Sequence, residues 1–379
     1  MDMRSSRRNF VVSSGLTAAL AGQVKFMALA AAAERTGLKE AYRDRFLIGA
    51  AINTSIASGK HPDITEIIQR DFSSVTPENS MKWGSVRAAD GGWKWEEADH
   101  FMNFAAQHNL HAVGHTLAWH GQTPDSVFKN AKGDYIKPAE LTKKMEEHIT
   151  TIVGRYKGKL HAWDAVNEAV GDDNQMRKSH YFNILGEQFI DKAFHLAHEV
   201  DPKAHLMYND YNIERGGKRE ACAELLKRLK KRGVPVQGIG IQAHVAVDGP
   251  SISDIEKSIV AYADLGLRVH FTELDVDVLP QVWNLPVAEI STRFEYKPER
   301  DPFKSGLTKE ANDKLSSRYE ELFKLFIKHK DKIDRVTLWG VSDDASWLND
   351  FPIRGRTAYP LLFDRKRQPK DAYRRVLAL

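Results

Sequence analysis

Apolar residues along this chain alternate between two spacings. Eight short runs are apolar and rich in β-forming residues: Phe46–Asn53, Ser74–Asn79, His111–Leu117, Leu160–Val166, His205–Asn209, Gly238–His244, Val269–Glu273 and Arg335–Gly340. Between most of them, apolar residues recur at three- and four-residue steps. These stretches are Trp95–Ala106, Leu141–Val153, Phe189–Val200, Ala221–Leu229, Ile255–Leu265 and Tyr319–Ile327. The short runs predict strands, and the longer spacing predicts helices with one buried stripe. Strand alternating with helix eight times predicts an α/β fold of the (β/α)8 barrel type, usually about 250 residues long and sometimes above about 400. Residues 34–379 are therefore expected to form a single domain, with no repeat, low-complexity tract or linker dividing it. The longest interval between strands contains Asp277–Thr308, ahead of a helical stretch at Lys309–Lys330. In a barrel this segment leaves the C-terminal end of a strand, so it either borders a cleft or is a surface excursion.

The first 33 residues read differently. Arg7 and Arg8 precede a weakly apolar run that ends in Ala28-Leu-Ala-Ala-Ala-Ala33. Paired arginines, an apolar run and small residues in that order predict a twin-arginine export signal cut near Ala33. Lys25 interrupts the run, which argues against a membrane span. Removal of residues 1–33 leaves 51 basic and 50 acidic residues, lowering the net charge from +4 to +1. A nearly neutral chain offers no electrostatic case for nucleic acid. The single cysteine, Cys222, excludes an intramolecular disulfide and a cysteine-based metal site.

The chemistry gathers at the predicted C-terminal strand ends. His161–Ala169 ends a strand in Asn167 and Glu168, and Val269–Val276 carries Glu273. Carboxylates are costly to bury, and a pair of them at strand ends is what glycosidic bond cleavage needs. One serves as proton donor and the other as nucleophile or base. On spacing alone, both could equally be structural residues. Their neighbours shift the balance: Glu78, Asn79, Lys82 and Trp83, then His115, Trp119, His120 and Gln122. Tyr208–Asn212, Gln242, His244, Asp275, Trp339 and Trp347 complete the set. Amides, charges and flat indoles suit sugar hydroxyls and the apolar faces of sugar rings. Glu273 and Asp275 share strand parity, so His244 on the adjacent strand can bridge them. That bridge would orient Glu273 and keep it ionised, while the nearby negative charge would make the Glu168 proton harder to lose. His111, His115 and His120 resemble a metal cluster, but His120 has the opposite parity and no acidic or cysteine ligand is near in sequence. No catalytic metal and no cofactor are expected.

Taken in order, Glu78-Asn-Ser-Met-Lys-Trp83, Gly114-His-Thr-Leu-Ala-Trp-His120, Trp163-Asp-Ala-Val-Asn-Glu168, Tyr208-Asn-Asp-Tyr211 and His270-Phe-Thr-Glu-Leu-Asp275 resemble the family 10 glycoside hydrolases, the endo-β-1,4-xylanases. The resemblance runs from about Phe46 to Tyr373. It implies a glycoside hydrolase catalytic domain that cuts internal bonds of xylan with retention of configuration. Glu168 would be the acid/base and Glu273 the nucleophile. Asn167 would hold the 2-hydroxyl of the sugar at the cleavage point, and His115, Lys82 and Trp119 would contact that sugar. Glu78, Asn79 and Gln122 would bind the next sugar towards the non-reducing end. Gln242 and His244 would orient the catalytic pair, Trp339 and Trp347 would wall the cleft, and Tyr208 would stack on the leaving-side sugar. The expected partners are xylan and xylo-oligosaccharides, with neither nucleic acid nor, in the mature form, a membrane. A monomer in the periplasm or outside the cell is expected. The rivals are a β-1,4-glucanase, an exo-acting enzyme on short xylo-oligosaccharides, and a non-catalytic sugar-binding barrel.

Overall fold

The computed structural model describes residues 37–88, 91–282 and 293–379. The export signal read at residues 1–33 and the middle of the loop read at Asp277–Thr308 lie outside the described residues. Nine strands are present among them: β1 (Leu47–Ile52), β2 (Ser74–Pro77), β3 (His111–Trp119), β4 (Ala162–Asn167), β5 (His205–Asp210), β6 (Gly238–Ile241), β7 (His244–Ala246), β8 (Arg268–Asp277) and β9 (Ile333–Leu338). Every pairing between them is parallel, and β1 joins both β2 and β9, so the sheet closes on itself. β6 and β7 both pair with β8, at Gly238↔Arg268 and His244↔Asp275. They are two halves of one stave broken at Gln242-Ala243, which leaves a closed eight-stave (β/α)8 barrel in a single domain.

All eight apolar runs contain a strand, with ends shifted by a few residues. β2 stops at Pro77, ahead of Glu78 and Asn79, because proline has no N–H for a further ladder bond. β8 continues past Glu273 to Asp277. The helical stretches fall, to within two residues at their ends, in Glu96–Gln107, Pro138–Arg155, Gln188–Val200, Lys218–Lys231, Ile252–Ala263 and Lys309–Lys328. The pattern misses the helix Pro62–Asp71, whose buried stripe is only Ile64, Ile67, Ile68 and Asp71. Ten residues make too short a window for periodicity to stand out, although Pro62 in the first turn is a start signal. Among the described residues, no helix is long and apolar enough to cross a membrane.

Between the sheet and its helices, small residues make room for large ones. A Cβ at Gly114 would lie 2.2 Å from the indole of Trp163, which is buried. Towards the N-terminal mouth, Arg335 reaches across the interior and its Nη2 lies 3.7 Å from Met207 Sδ. Nearby, the Nε2 atoms of His205 and His270 approach to 3.2 Å, and the His111 and His161 rings stack at 4.2 Å. Burial, and then the charge of Arg335, push His111 down to about 3, and the same two causes hold His270 well below its ordinary range.

Candidate active site

The C-terminal ends of the staves surround one cleft of about 580 Å³. Backbone strain concentrates at its edge. Gln122, Glu168, Asn212 and Ala243 all have left-handed φ values between +52° and +60°, a conformation that non-glycine residues hold only when their surroundings enforce it. At Glu168 the turn follows the last residue of β4 and swings the carboxylate into the cleft.

The two carboxylates have unequal partners. Glu168 Oε2 accepts a hydrogen bond from Trp119 Nε1 at 2.8 Å, and His120 Nε2 lies 4.0 Å away. Glu168 Oε1 accepts from Gln242 Nε2 at 2.9 Å and Asn167 Nδ2 at 3.2 Å. Glu273 Oε1 accepts from Asn209 Nδ2 at 2.8 Å, and its Oε2 lies 3.2 Å from His244 Nε2. The other ring nitrogen of His244 is 3.0 Å from Asp275 Oδ2, which also accepts from Trp347 Nε1 at 2.7 Å. Burial by itself would lower the His244 pKa, but Asp275 and Glu273 outweigh it and push the imidazole up to about 10. The ring is then an imidazolium that donates to both carboxylates. Burial would likewise raise the Glu273 carboxyl, yet His244, His115 and Asn209 together hold it below its ordinary value.

Amides join the two halves of the site. Asn209 Nδ2 donates to Glu273 and also to Asn167 Oδ1 at 2.8 Å, and Gln242 Nε2 lies 3.4 Å from that same Asn167 oxygen. Thr272 Oγ1 donates to Asn209 Oδ1 at 2.6 Å, which fixes the direction of the Asn209 amide. Gly240 leaves space for it, since a Cβ there would sit 2.3 Å from Asn209 Oδ1.

At one end of the cleft, the Lys82 ammonium donates to Asn79 Oδ1 at 2.9 Å and Gln122 Oε1 at 2.8 Å, and lies 4.8 Å from the centre of the Trp119 ring. Burial lowers the Lys82 pKa against the opposing pull of Glu273, Glu78 and Glu168. Burial raises that of Glu78, with Lys82 opposing. His115 Nδ1 is 2.8 Å from the buried Asp164 Oδ2.

Fourteen of the fifteen residues read from the sequence line this cleft: Glu78, Asn79, Lys82, His115, Trp119, Gln122, Asn167, Glu168, Gln242, His244, Glu273, Asp275, Trp339 and Trp347. Tyr208 does not, and its stacking role is corrected here. It is fully buried, accepts from the backbone N–H groups of Ala169 and Val170, and donates to Asp210. Alternation along β5 turns Asn209 inward and Tyr208 the other way. The ring that reaches the cleft is Tyr211. Arg177 holds it in place, donating to Tyr211 O–H at 2.7 Å and, through Nε, to the Glu168 carbonyl at 2.8 Å. The pattern reading also misses the bridging role of Asn209 and the placing of Asn212 and Arg215 in the cleft. The Asn-Asp-Tyr-Asn cluster marked the region but not which members face inward. Among the described residues, no group of three or more His, Cys, Asp or Glu side chains is arranged to hold a metal ion. His111 stacks on His161, while His115 sits in the cleft beside Asp164.

A parallel barrel with paired carboxylates and an amide-and-indole lining at its C-terminal face defines a glycoside hydrolase. The family model for glycosyl hydrolase family 10 matches residues 37–379, and the chain belongs to that family. It is 39% identical over 350 residues to endo-1,4-beta-xylanase A of Xylanibacter ruminicola, covering 92% of this chain and 95% of that protein. Among solved structures, a family 10 endoxylanase from a sugarcane soil metagenome shares 55% identity at a TM-score of 0.88, covering 90% of this chain and 99% of that one. Xylanase XynB from Paenibacillus barcinonensis shares 38% identity at a TM-score of 0.80, with coverages of 90% and 98%.

Proposed function

We propose that the protein is an endo-1,4-β-xylanase that cleaves xylan by double displacement with retention of anomeric configuration. The observation that carries this reading is the unequal treatment of two carboxylates joined through Asn167, Asn209 and Gln242. Glu273 is held ionised by an imidazolium and an amide, which suits a nucleophile that attacks the anomeric carbon. Glu168 then protonates the departing oxygen and, in the second half, deprotonates the water that releases the sugar. Asn167 and the Lys82–Asn79–Gln122 group offer donors and acceptors to sugar hydroxyls, and Trp339 and Trp347 wall the cleft. Xylose lacks the hydroxymethyl group of glucose, so a cleft narrowed by two indoles excludes glucans by steric clash. The xylanase names of the relatives support the same substrate.

The test is NMR of anomeric protons during early xylohexaose hydrolysis. Retention predicts the β-anomer first, and the α-anomer first would refute double displacement. Endo action predicts a ladder of oligosaccharides from xylan at short times, whereas a single small product from the start points to an exo enzyme. Faster hydrolysis of carboxymethyl-cellulose than of xylan would overturn the substrate. We also read residues 1–33 as a twin-arginine export signal. Retention of a doubly substituted R7K/R8K precursor in the cytoplasm, with wild type exported, is the expected outcome; export of both contradicts it.

A further inference from the structure

The cleft extends beyond the catalytic pair. Away from Glu78 and Asn79, its wall contains Tyr211, Asn212, Arg215 and Asp248. If the Glu78 end takes the non-reducing side, this wall faces the leaving-group side of the chain. The Arg215 side chain is 41% exposed, and its Nε is buried without a hydrogen-bond partner. Among the described residues, the carboxylate within 4 Å of its guanidinium is Glu214, with Oε1 at 3.7 Å. Glu214 does not neutralise it well: the carboxyl is fully buried and neither oxygen has a hydrogen bond from another residue. Burial pushes the Glu214 pKa up, against its own backbone N–H and the charges of Arg215, Lys218 and His244.

The other charged residue of that wall is Asp248. Arg318 is buried, donates to the Pro250 carbonyl, has Glu321 Oε2 3.8 Å from its Nη1, and feels the charges of Glu321, Arg215 and Asp248 in that order. Asp248 favours the charged form of Arg318 and Arg215 disfavours it. Arg215 therefore presents a guanidinium to this lip with no carboxylate among the described residues closer than 3.7 Å. A planar guanidinium with free N–H donors matches a carboxylate in both charge and geometry.

We propose that Arg215 is a specificity residue that binds the carboxylate of a uronic acid branch carried by a xylose on the leaving-group side. This rests on the xylanase reading and narrows it to acidic, branched xylans. Three xylo-oligosaccharides of equal backbone length test it: unsubstituted, arabinose-substituted and uronate-substituted. The quantity measured is the ratio of kcat/KM on the uronate-bearing substrate to that on each neutral one. In Arg215→Gln that ratio should fall by about fivefold, as expected when a half-exposed charge pair is lost. In the wild type, raising the salt concentration should lower the same ratio, because screening weakens such a pair, and this arm needs no variant. An unchanged ratio in the variant, or a salt-independent one in the wild type, overturns the role of Arg215. Failure of the wild type to cleave the unsubstituted substrate overturns the xylanase reading beneath it.

Discussion

The two mouths of the barrel treat the same side chain in opposite ways. At the C-terminal mouth, His244 lies between Glu273 and Asp275 and is pushed up to about 10. At the N-terminal mouth, His111 is pushed down to about 3 and His270 well down, by burial and then by Arg335. Burial acts on all three in the same direction. What decides the outcome is the sign of the neighbouring charge: carboxylates above, a guanidinium below. The upper end holds ionised groups poised against one another, as chemistry requires, while the lower end keeps its imidazoles neutral and packed. That division matches the general rule that catalysis sits at the C-terminal face of such barrels and stability at the other.

The comparison is broken most severely at the nucleophile. Glu273→Gln should lower kcat on xylohexaose by about 10⁴-fold or more, while His270→Gln at the other mouth should fall far short of that. A comparable loss from His270→Gln would erase the distinction between the ends. Next in size is Glu168→Ala. It should cost about 10²–10⁴-fold on xylan and much less on an aryl xylobioside with a good leaving group. Equal loss on both substrates would remove Glu168 from the acid role.

His244→Asn should lower kcat/KM by about 10- to 100-fold, the size of a charge-assisted hydrogen bond lost. Its pH dependence sharpens the contrast. A folded-state pKa raised from 6.5 to about 10 contributes stability that is complete below pH 6.5 and is lost as pH rises through 10. Wild-type unfolding free energy should therefore fall across that window, and the variant should show a shallower slope. The smallest effect belongs to His111. Its pKa, lowered to about 3, contributes stability that is complete above pH 6.5 and is lost as pH falls towards 3. His111→Phe should flatten this acid limb by at most about 1.4 kcal/mol per pH unit, read by urea unfolding, and leave kcat at pH 7 near the wild-type value. An unchanged acid limb would show that His111 is not held neutral.

Much of the site was legible in the sequence because strands carry a simple rule. Glu273 and Asp275 share parity on β8, so once His244 is on the neighbouring stave it meets both, and the distances of 3.2 and 3.0 Å bear this out. Parity says which residues share a side but not which side faces the barrel axis. That gap produced the error at Tyr208, where the inward position on β5 belongs to Asn209, registered against Asn167 of β4. Nor does a linear pattern reveal that the sixth stave breaks at Gln242-Ala243, where Ala243 adopts φ +60° and Gln242 reaches Glu168.

Order and periodicity along the chain were enough to determine the eight alternations, the barrel they close into and the two glutamates at strand ends, because hydrophobic spacing and local turns act over a few residues. The tertiary structure alone decided which atoms meet. The bond from Asn209 to Glu273 spans 64 positions, and the Glu168–Gln242 bond spans 74. The protonation of each histidine followed from the same folding, since it is set by charges within a few ångströms in space, whatever their distance along the chain.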